Sequence, residues 1–129
     1  EQAVFTPGQL LRIRVAVEAL QRSEIPVLPA ITLFRLDGVL VTHFATPEPM
    51  TLDFAHDASR VLVLDLPELN LGPGQYVFSA AIFGRAINEA DRYDLIDRAF
   101  EFEVVGGPRW FEGAIFNHPA TWSVANASP

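Results

Sequence analysis

Two short apolar runs flank an Asp-Gly dipeptide in the first third of the chain, and they limit the fold more than any other stretch. Residues 30–36 (AITLFRL) and 39–44 (VLVTHF) are rich in β-branched and aromatic side chains, and Asp37-Gly38 lies between them. Asp-Gly readily adopts the positive φ angles of a two-residue turn. The pattern therefore predicts a β-hairpin in which the two runs pair.

The rest of the chain repeats this pattern of short apolar runs separated by turn residues. Residues 10–20 fit both a helical stripe and a strand, but their β-branched side chains and the Thr-Pro-Gly upstream favour the strand. Glycine and proline at 70–75 (NLGPGQ) predict a tight turn. Further strands are predicted at 51–54, 60–66, 75–85 and 100–104. Seven or eight short strands without a long helix predict an all-β fold, an antiparallel β-sandwich.

Composition places the chain among folded single domains and removes several classes of function. It has 129 residues, half of them hydrophobic, which is typical of a folded domain rather than a disordered tail. All nine basic residues are Arg, and the net charge is −7, so nucleic acid and anionic membranes are poor partners. The absence of cysteine removes disulfides, thiolate zinc sites and a cysteine nucleophile.

The sequence has neither a membrane-spanning run nor an amino-terminal signal pattern. No apolar run is long enough to span a bilayer, and the amino terminus lacks a signal sequence. The sequence begins without Met, and its single methionine is Met50. We therefore expect residues 1–129 to be one domain excised from a longer chain.

An acidic stretch, EADRYDLID at 89–97, is the strongest candidate for chemistry. Asp91, Asp94 and Asp97 recur every third residue, whereas an EF-hand calcium loop needs acceptors at alternate positions, a central Gly and a distal Glu. Two catalytic carboxylates would need one raised pKa and a cleft between them. The spacing favours a surface loop in which Asp94 and Asp97 satisfy backbone amides. An enzyme that uses Asp94 and Asp97 stays as an alternative.

Other catalytic and metal motifs are missing from the sequence. His43, His56 and His118 are far apart and do not have the spacing of a zinc site. No GxSxG, GxGxxG or GxxxxGK[ST] string occurs. The sequence thus predicts no catalytic residue, no metal site and no cofactor.

Alternation within the strands predicts an outer face that mixes aromatic and polar side chains. If Tyr76 and Phe78 face the core, then Ser79, Phe83 and Arg85 point outward. If Ile31 and Leu33 are buried in the 30–36 strand, then Thr32 and Phe34 point outward as well. Such a face suits sugars, whose C–H patches stack on rings while their hydroxyls form hydrogen bonds. The candidate carbohydrate-binding residues are Thr32, Phe34, Ser79, Phe83, Arg85, Glu101 and Glu103. The alternative is that the outward phenyl rings are covered by a loop or a partner subunit.

Several strings in a fixed order resemble a known family. They are LDGV at 36–39, LNLGPGQYVFSAAI at 69–82, YDLIDRAFEFEVVGG at 93–107 and GAIFNHPATW at 113–122. Over residues 5–122 the chain resembles the carboxy-terminal domain of the nucleotide-binding subunit of O-antigen polysaccharide ABC exporters, the Wzt type. The resemblance carries over scaffold positions, namely Gly38, Gly74, Tyr76, Asp94, Asp97, Phe100 and Trp122.

The resemblance implies an immunoglobulin-like β-sandwich that serves as a non-catalytic carbohydrate-binding module beside an ATPase domain. It also implies a homodimer formed through the terminal strands, in which the segment from Trp110 to Trp122 buries its aromatic side chains. A transmembrane exporter subunit is the implied partner, and the bacterial cytoplasm at the inner membrane is the implied location. The alternatives are an assembly or dimerisation sandwich, and a glycan-recognition module attached to a carbohydrate-modifying enzyme.

Overall fold

The computed structural model describes residues 3–106, 115–116 and 118–125, and of residues 91 and 96–98 it describes the backbone alone. These residues form eight strands and one short 3₁₀ turn at Glu89–Asp91. The strands are β1 (Ala3–Phe5), β2 (Leu11–Glu18), β3 (Glu24–Arg35), β4 (Leu40–Ala45), β5 (Met50–Asp53), β6 (Ser59–Leu66), β7 (Gly74–Phe83) and β8 (Arg92–Val104). No helix in the described part of the chain is long and apolar enough to cross a membrane.

Two sheets pack against each other as a β-sandwich, which confirms the all-β fold predicted from the sequence. The larger sheet has the order β1-β8-β7-β3-β4, and β5 pairs with the first part of β3. The smaller sheet consists of β2 and β6, which are antiparallel along their whole length. β1 runs parallel to β8, so the larger sheet is mixed. The alternating pattern of the sequence did not predict the parallel pairing of β1 with β8. Alternation indicates which face of a strand is buried and not the direction of the neighbouring strand.

The core lies between the two sheets and is built from alternate residues of their strands. Its largest members form an aromatic stack, in which the Phe102 ring lies 5.4 Å from Tyr76 and 5.1 Å from Phe78 between centroids. The smaller sheet contributes Leu11, which is 1% exposed. Each such buried side chain stabilises the fold by roughly 1.5–3 kcal/mol. The sandwich is thus held mainly by apolar burial.

Tyr76 anchors the turn that leads into β7. Its ring is 1% exposed, and its hydroxyl donates to the carbonyl oxygen of Gly72 at 2.6 Å. A tyrosine at the start of a strand whose hydroxyl bonds the backbone a few residues upstream is the tyrosine corner of immunoglobulin-like domains. Together with the two-sheet arrangement, this contact identifies the sandwich as immunoglobulin-like.

The β3–β4 hairpin forms, but its loop is one residue longer than predicted. The N–H of Gly38 donates to the Arg35 carbonyl at 2.9 Å, and the N–H of Arg35 donates to the Val39 carbonyl at 2.8 Å. Gly38 has a φ of +95°. The two bonds and this positive φ are those of a three-residue hairpin loop that ends in a left-handed glycine. The two-residue turn was wrong because the closing hydrogen bonds join Arg35 to Gly38 and Val39, which leaves three residues in the loop. The Asp37 carboxylate accepts hydrogen bonds from the Arg35 guanidinium at 3.1 and 2.5 Å.

The acidic stretch is largely a strand, which corrects the prediction of a surface loop. β8 spans Arg92–Val104, so Asp94 and Asp97 lie in a strand paired with β7. Asp94 does satisfy a backbone amide, because its Oδ1 accepts the N–H of Leu95 at 2.8 Å. The side chain of Asp97 lies outside the described residues. Two shifts in the β7–β8 register interrupt the alternation by which a strand is recognised, and they hid β8 from the sequence.

Candidate functional site

Six of the seven predicted carbohydrate-binding residues lie in β3, β7 and β8, which are neighbours in the larger sheet, whereas Arg85 lies beyond the end of β7. Thr32 lies opposite Ser79. Phe34 lies opposite Val77, which in turn lies opposite Glu101. Residues opposed in an antiparallel pair share a face. The topology therefore brings the predicted residues of the three strands onto one side of the sheet.

This outer face has a buried apolar part that alternation could not reveal. Ser79 and Phe83 are each only 8% exposed. Phe83 packs with Leu28 and Ala30 in a small apolar cluster apart from the main core. The other predicted residues are exposed or half-buried, namely Thr32, Phe34, Arg85, Glu101 and Glu103. A ligand on this face therefore meets the second group and reaches Ser79 and Phe83 little.

The predicted residues form a strip rather than a pocket. Phe34 lies opposite Val77, and Phe83 is six residues further along β7. At about 3.3 Å per residue, the strip is roughly 20 Å long. It suits an elongated ligand that runs along the strands.

Two clefts lie side by side between the edges of β4 and β6. Their volumes are 580 and 620 Å³, and both are lined by Phe44. Their linings are mostly apolar. No predicted site residue lines either cleft.

Another cleft lies at the end of the sandwich where β2 ends, β3 begins and β7 connects to β8. Its volume is 720 Å³, and its apolar lining includes Phe54 and Val27, each 1% exposed. Its polar lining consists of Glu18, Gln21, Arg92, Tyr93 and Asp94. An apolar lining with a few convergent polar groups is typical of small-molecule sites. The acidic stretch, predicted to be a surface loop, thus contributes three residues to the lining of a cavity.

The pKa values of Asp65 and Tyr76 are shifted by their surroundings within the fold. Hydrogen bonds from Arg12 at 2.6 and 3.1 Å hold the pKa of the Asp65 carboxyl below its usual range. Burial raises the pKa of the Tyr76 hydroxyl. The first contact joins β2 to β6, and the second belongs to the tyrosine corner. Among the residues that the structure describes, no three His, Asp or Glu side chains are grouped closely enough to hold a metal ion.

The described residues at the carboxy-terminal end of the chain, 115–116 and 118–125, form what we call the closing segment. Several of them carry exposed apolar side chains. The N–H of Gly72 donates to the Ile115 carbonyl at 2.7 Å, and Phe116 pairs with Leu71 in an isolated bridge. The Phe116 side chain is nevertheless 58% exposed, and that of Trp122 is 99% exposed. The Trp110 end of the predicted aromatic segment lies outside the described residues.

Comparison with known proteins places this geometry in a family. The family model described as the Wzt C-terminal domain matches residues 1–116. The crystal structure of the C-terminal domain of Wzt is similar, with a TM-score of 0.76 and 15% identity, over 95% of this chain and 74% of that one. At this identity the likeness shows the fold.

A more distant solved structure is the CARDB domain of the PF1109 protein from Pyrococcus furiosus, in complex with di-metal ions. It has a TM-score of 0.45 and 16% identity over 81% of each chain, which is too remote to bear on the fold or the site. A search of curated proteins gives no match. Since the Wzt model covers most of the 129 residues, the chain belongs to the Wzt C-terminal domain family.

Proposed function

We propose that this domain is a non-catalytic polysaccharide-binding module of an ABC exporter, and that its polysaccharide is an O-antigen. Membership of the Wzt C-terminal domain family is the observation that carries the proposal. That membership supports a carbohydrate-binding module of an exporter subunit. The outer face of the larger sheet, with the Phe34 ring and polar groups along one strip, supports a polymer as the ligand.

The proposed contact surface is the exposed part of that strip. The Phe34 ring offers a stacking surface for a sugar, and the charged side chains along the strip exchange hydrogen bonds with hydroxyls. Ser79 and Phe83 are too buried for more than marginal contact, so we assign them to the support of their neighbours. The proposed contact residues are Thr32, Phe34, Arg85, Glu101 and Glu103.

The proposal includes partners and a setting. The domain acts beside an ATPase domain and a transmembrane exporter subunit, in the cytoplasm at the bacterial inner membrane. It forms a homodimer through its terminal strands, a proposal supported by the high exposure of Phe116, Trp122 and Val124. Recognition of the polysaccharide by this domain selects the chain that the exporter then transports.

Calorimetric titration of the domain with purified O-polysaccharides and with unrelated glycans tests this function. We expect binding to a subset of the O-polysaccharides. Stacking and hydrogen bonds to uncharged sugar hydroxyls release few counterions, so the Kd should change less than about threefold between roughly 0.05 and 0.5 M salt. Equal binding to every glycan, or binding to none, contradicts the proposal.

An assembly or dimerisation module is the second candidate, favoured by the exposed apolar side chains of the closing segment. A Phe34→Ala, Arg85→Ala double variant separates the two functions. Loss of glycan binding with dimers intact supports the binding module, whereas loss of dimers would place an assembly interface on this part of the surface and support the assembly module. A glycan-recognition module attached to a carbohydrate-modifying enzyme would bind in the same way, and the remainder of the gene distinguishes it from an exporter subunit.

Catalysis by Asp94 and Asp97 makes a separate forecast. Such an enzyme would shorten its glycan, whereas its Asp94→Asn variant would leave the chain length of the glycan unchanged. We propose that the domain leaves the glycan intact, because Asp94 already accepts the backbone N–H of Leu95 at 2.8 Å. Chain-length measurement of the polysaccharide after incubation with the domain checks this directly.

A further inference from the structure

Three consecutive residues of β8, Arg92, Tyr93 and Asp94, line the cleft at the end of the sandwich. In a regular strand successive side chains point to opposite faces, so three in a row would not share a cavity. Asp94 lies opposite Ile82 and Arg92 lies opposite Phe83, which leaves Tyr93 as an extra residue in the ladder. This is a β-bulge. Bulges redirect side chains and are over-represented next to functional sites.

Tyr93 is held in place although it is exposed. Its side chain is 53% exposed, and its hydroxyl donates to the carbonyl oxygen of Pro26 at 3.2 Å. This bond ties the bulge to β3, whose residues Ile25 and Val27 also line the cleft. An anchored aromatic ring beside apolar side chains is a surface on which the C–H groups of a sugar pack. The hydroxyl bond adds to the contacts that place the ring beside the cleft.

The charged groups of the cleft disfavour an anion. Glu18 and Asp94 bring two carboxylates, and Arg92 brings one guanidinium. That guanidinium lies 3.7 Å from the carboxylate of Glu89, so its positive charge is partly balanced already. Carboxylates accept hydrogen bonds from hydroxyl groups but repel other carboxylates and phosphates.

We propose that this cleft is a second glycan subsite, which takes a short segment of neutral sugar and rejects acidic sugars. Its volume of 720 Å³ lies within the range of roughly 300–1,000 Å³ found for small-molecule sites. The inference rests on the proposed function. It adds a location apart from the outer sheet face, and a preference for uncharged ligands.

Matched pairs of oligosaccharides test the charge preference. Tetrasaccharides of galactose and glucose are titrated into the 129-residue chain beside the corresponding tetrasaccharides of galacturonate and glucuronate. We expect at least one neutral member to bind roughly tenfold tighter than its acidic counterpart. In Asp94→Asn, which keeps an acceptor oxygen for Leu95, this preference should shrink several-fold. A preference that is absent in the parent chain, or unchanged in Asp94→Asn, overturns the subsite.

Variants of Tyr93 separate the subsite from the sheet face. Tyr93→Ala should weaken binding of the neutral tetrasaccharide about tenfold, whereas Tyr93→Phe, which keeps the ring, should stay within about threefold of the parent chain. Phe34→Ala is the companion variant on the sheet face. If Phe34→Ala weakens binding and Tyr93→Ala binds as tightly as the parent chain, the cleft is overturned and the proposed function stands. A parent chain that binds no glycan, O-polysaccharides included, overturns both.

Discussion

The two tyrosines of the chain bond backbone carbonyls in opposite surroundings. The Tyr76 hydroxyl is buried and lies 2.6 Å from the Gly72 oxygen, whereas the exposed Tyr93 hydroxyl lies 3.2 Å from the Pro26 oxygen. Loss of a buried partner leaves a polar group without solvent, but water replaces an exposed partner.

Tyr76→Phe should therefore lower the free energy of unfolding by about 1–3 kcal/mol. Tyr93→Phe, the matched control, should lower it by less than about 0.5 kcal/mol. Urea denaturation of the two variants and the parent chain measures the difference. Equal losses would mean that the tyrosine corner contributes no more than a surface contact.

At the same scale, the burial of single side chains was the least predictable property. Alternation assigned Phe83 to the outer face, and the pairing of β7 with β3 agrees with that face. Yet Phe83 is buried, because Leu28 and Ala30 pack beside it. Those neighbours are more than fifty residues away in sequence, and no local pattern around Phe83 predicts the contact with them.

At the scale of elements, strands with regular alternation were predictable and irregular ones were not. β2 and most of β6 keep the period of two, and both were predicted close to their observed bounds. β7 was also predicted close to its bounds, although four consecutive residues, Tyr76 to Ser79, are buried. The first half of β8 was missed because its register against β7 shifts twice. The shift at Tyr93 accompanies a contact with Pro26, 67 residues away. A bulge stabilised by so distant a partner leaves little trace in a single sequence.

The β3–β4 hairpin carries a prediction at this scale. Gly38 has a φ of +95°, and a Cβ at this position would meet no atom within 4 Å. Gly38→Ala should thus lower the free energy of unfolding by about 1–2 kcal/mol through backbone strain alone. Gly38→Asn should lose less, because Asn tolerates left-handed backbone. Thermal unfolding of both variants checks the order, and a larger loss in Gly38→Asn would contradict the loop geometry.

For the whole molecule, the two proposed ligand surfaces meet at one residue pair. Phe83 belongs to the outer-face strip and lies opposite Arg92, which lines the cleft. The tyrosine corner lies near the other end of β7, at its entry. The proposed ligand contacts therefore lie along the strip and at its far end. A glycan that follows the strip has the cleft at the end of its path.

Dimerisation is the remaining prediction at this scale, and it concerns the closing segment. Trp122 and Val124 are 99% and 100% exposed, and large apolar side chains exposed together are typical of interaction surfaces. Tryptophan is also enriched among the residues that dominate binding energy at interfaces. In the proposed homodimer, Trp122 is therefore the side chain whose loss should matter most.

Sedimentation velocity across a concentration series should show a dimer for the parent chain. In Trp122→Ala the dimer Kd should rise by roughly thirtyfold or more, as expected for a central interface residue. Ile87→Ala is the control, because Ile87 is an apolar side chain that is 51% exposed and belongs to the β7–β8 connection rather than to the closing segment. Its dimer Kd should not change. A parent chain that stays monomeric, or a Trp122→Ala variant that dimerises as well as Ile87→Ala, would assign the exposed tryptophan to a different partner, for which the ATPase domain and the exporter subunit are the proposed candidates.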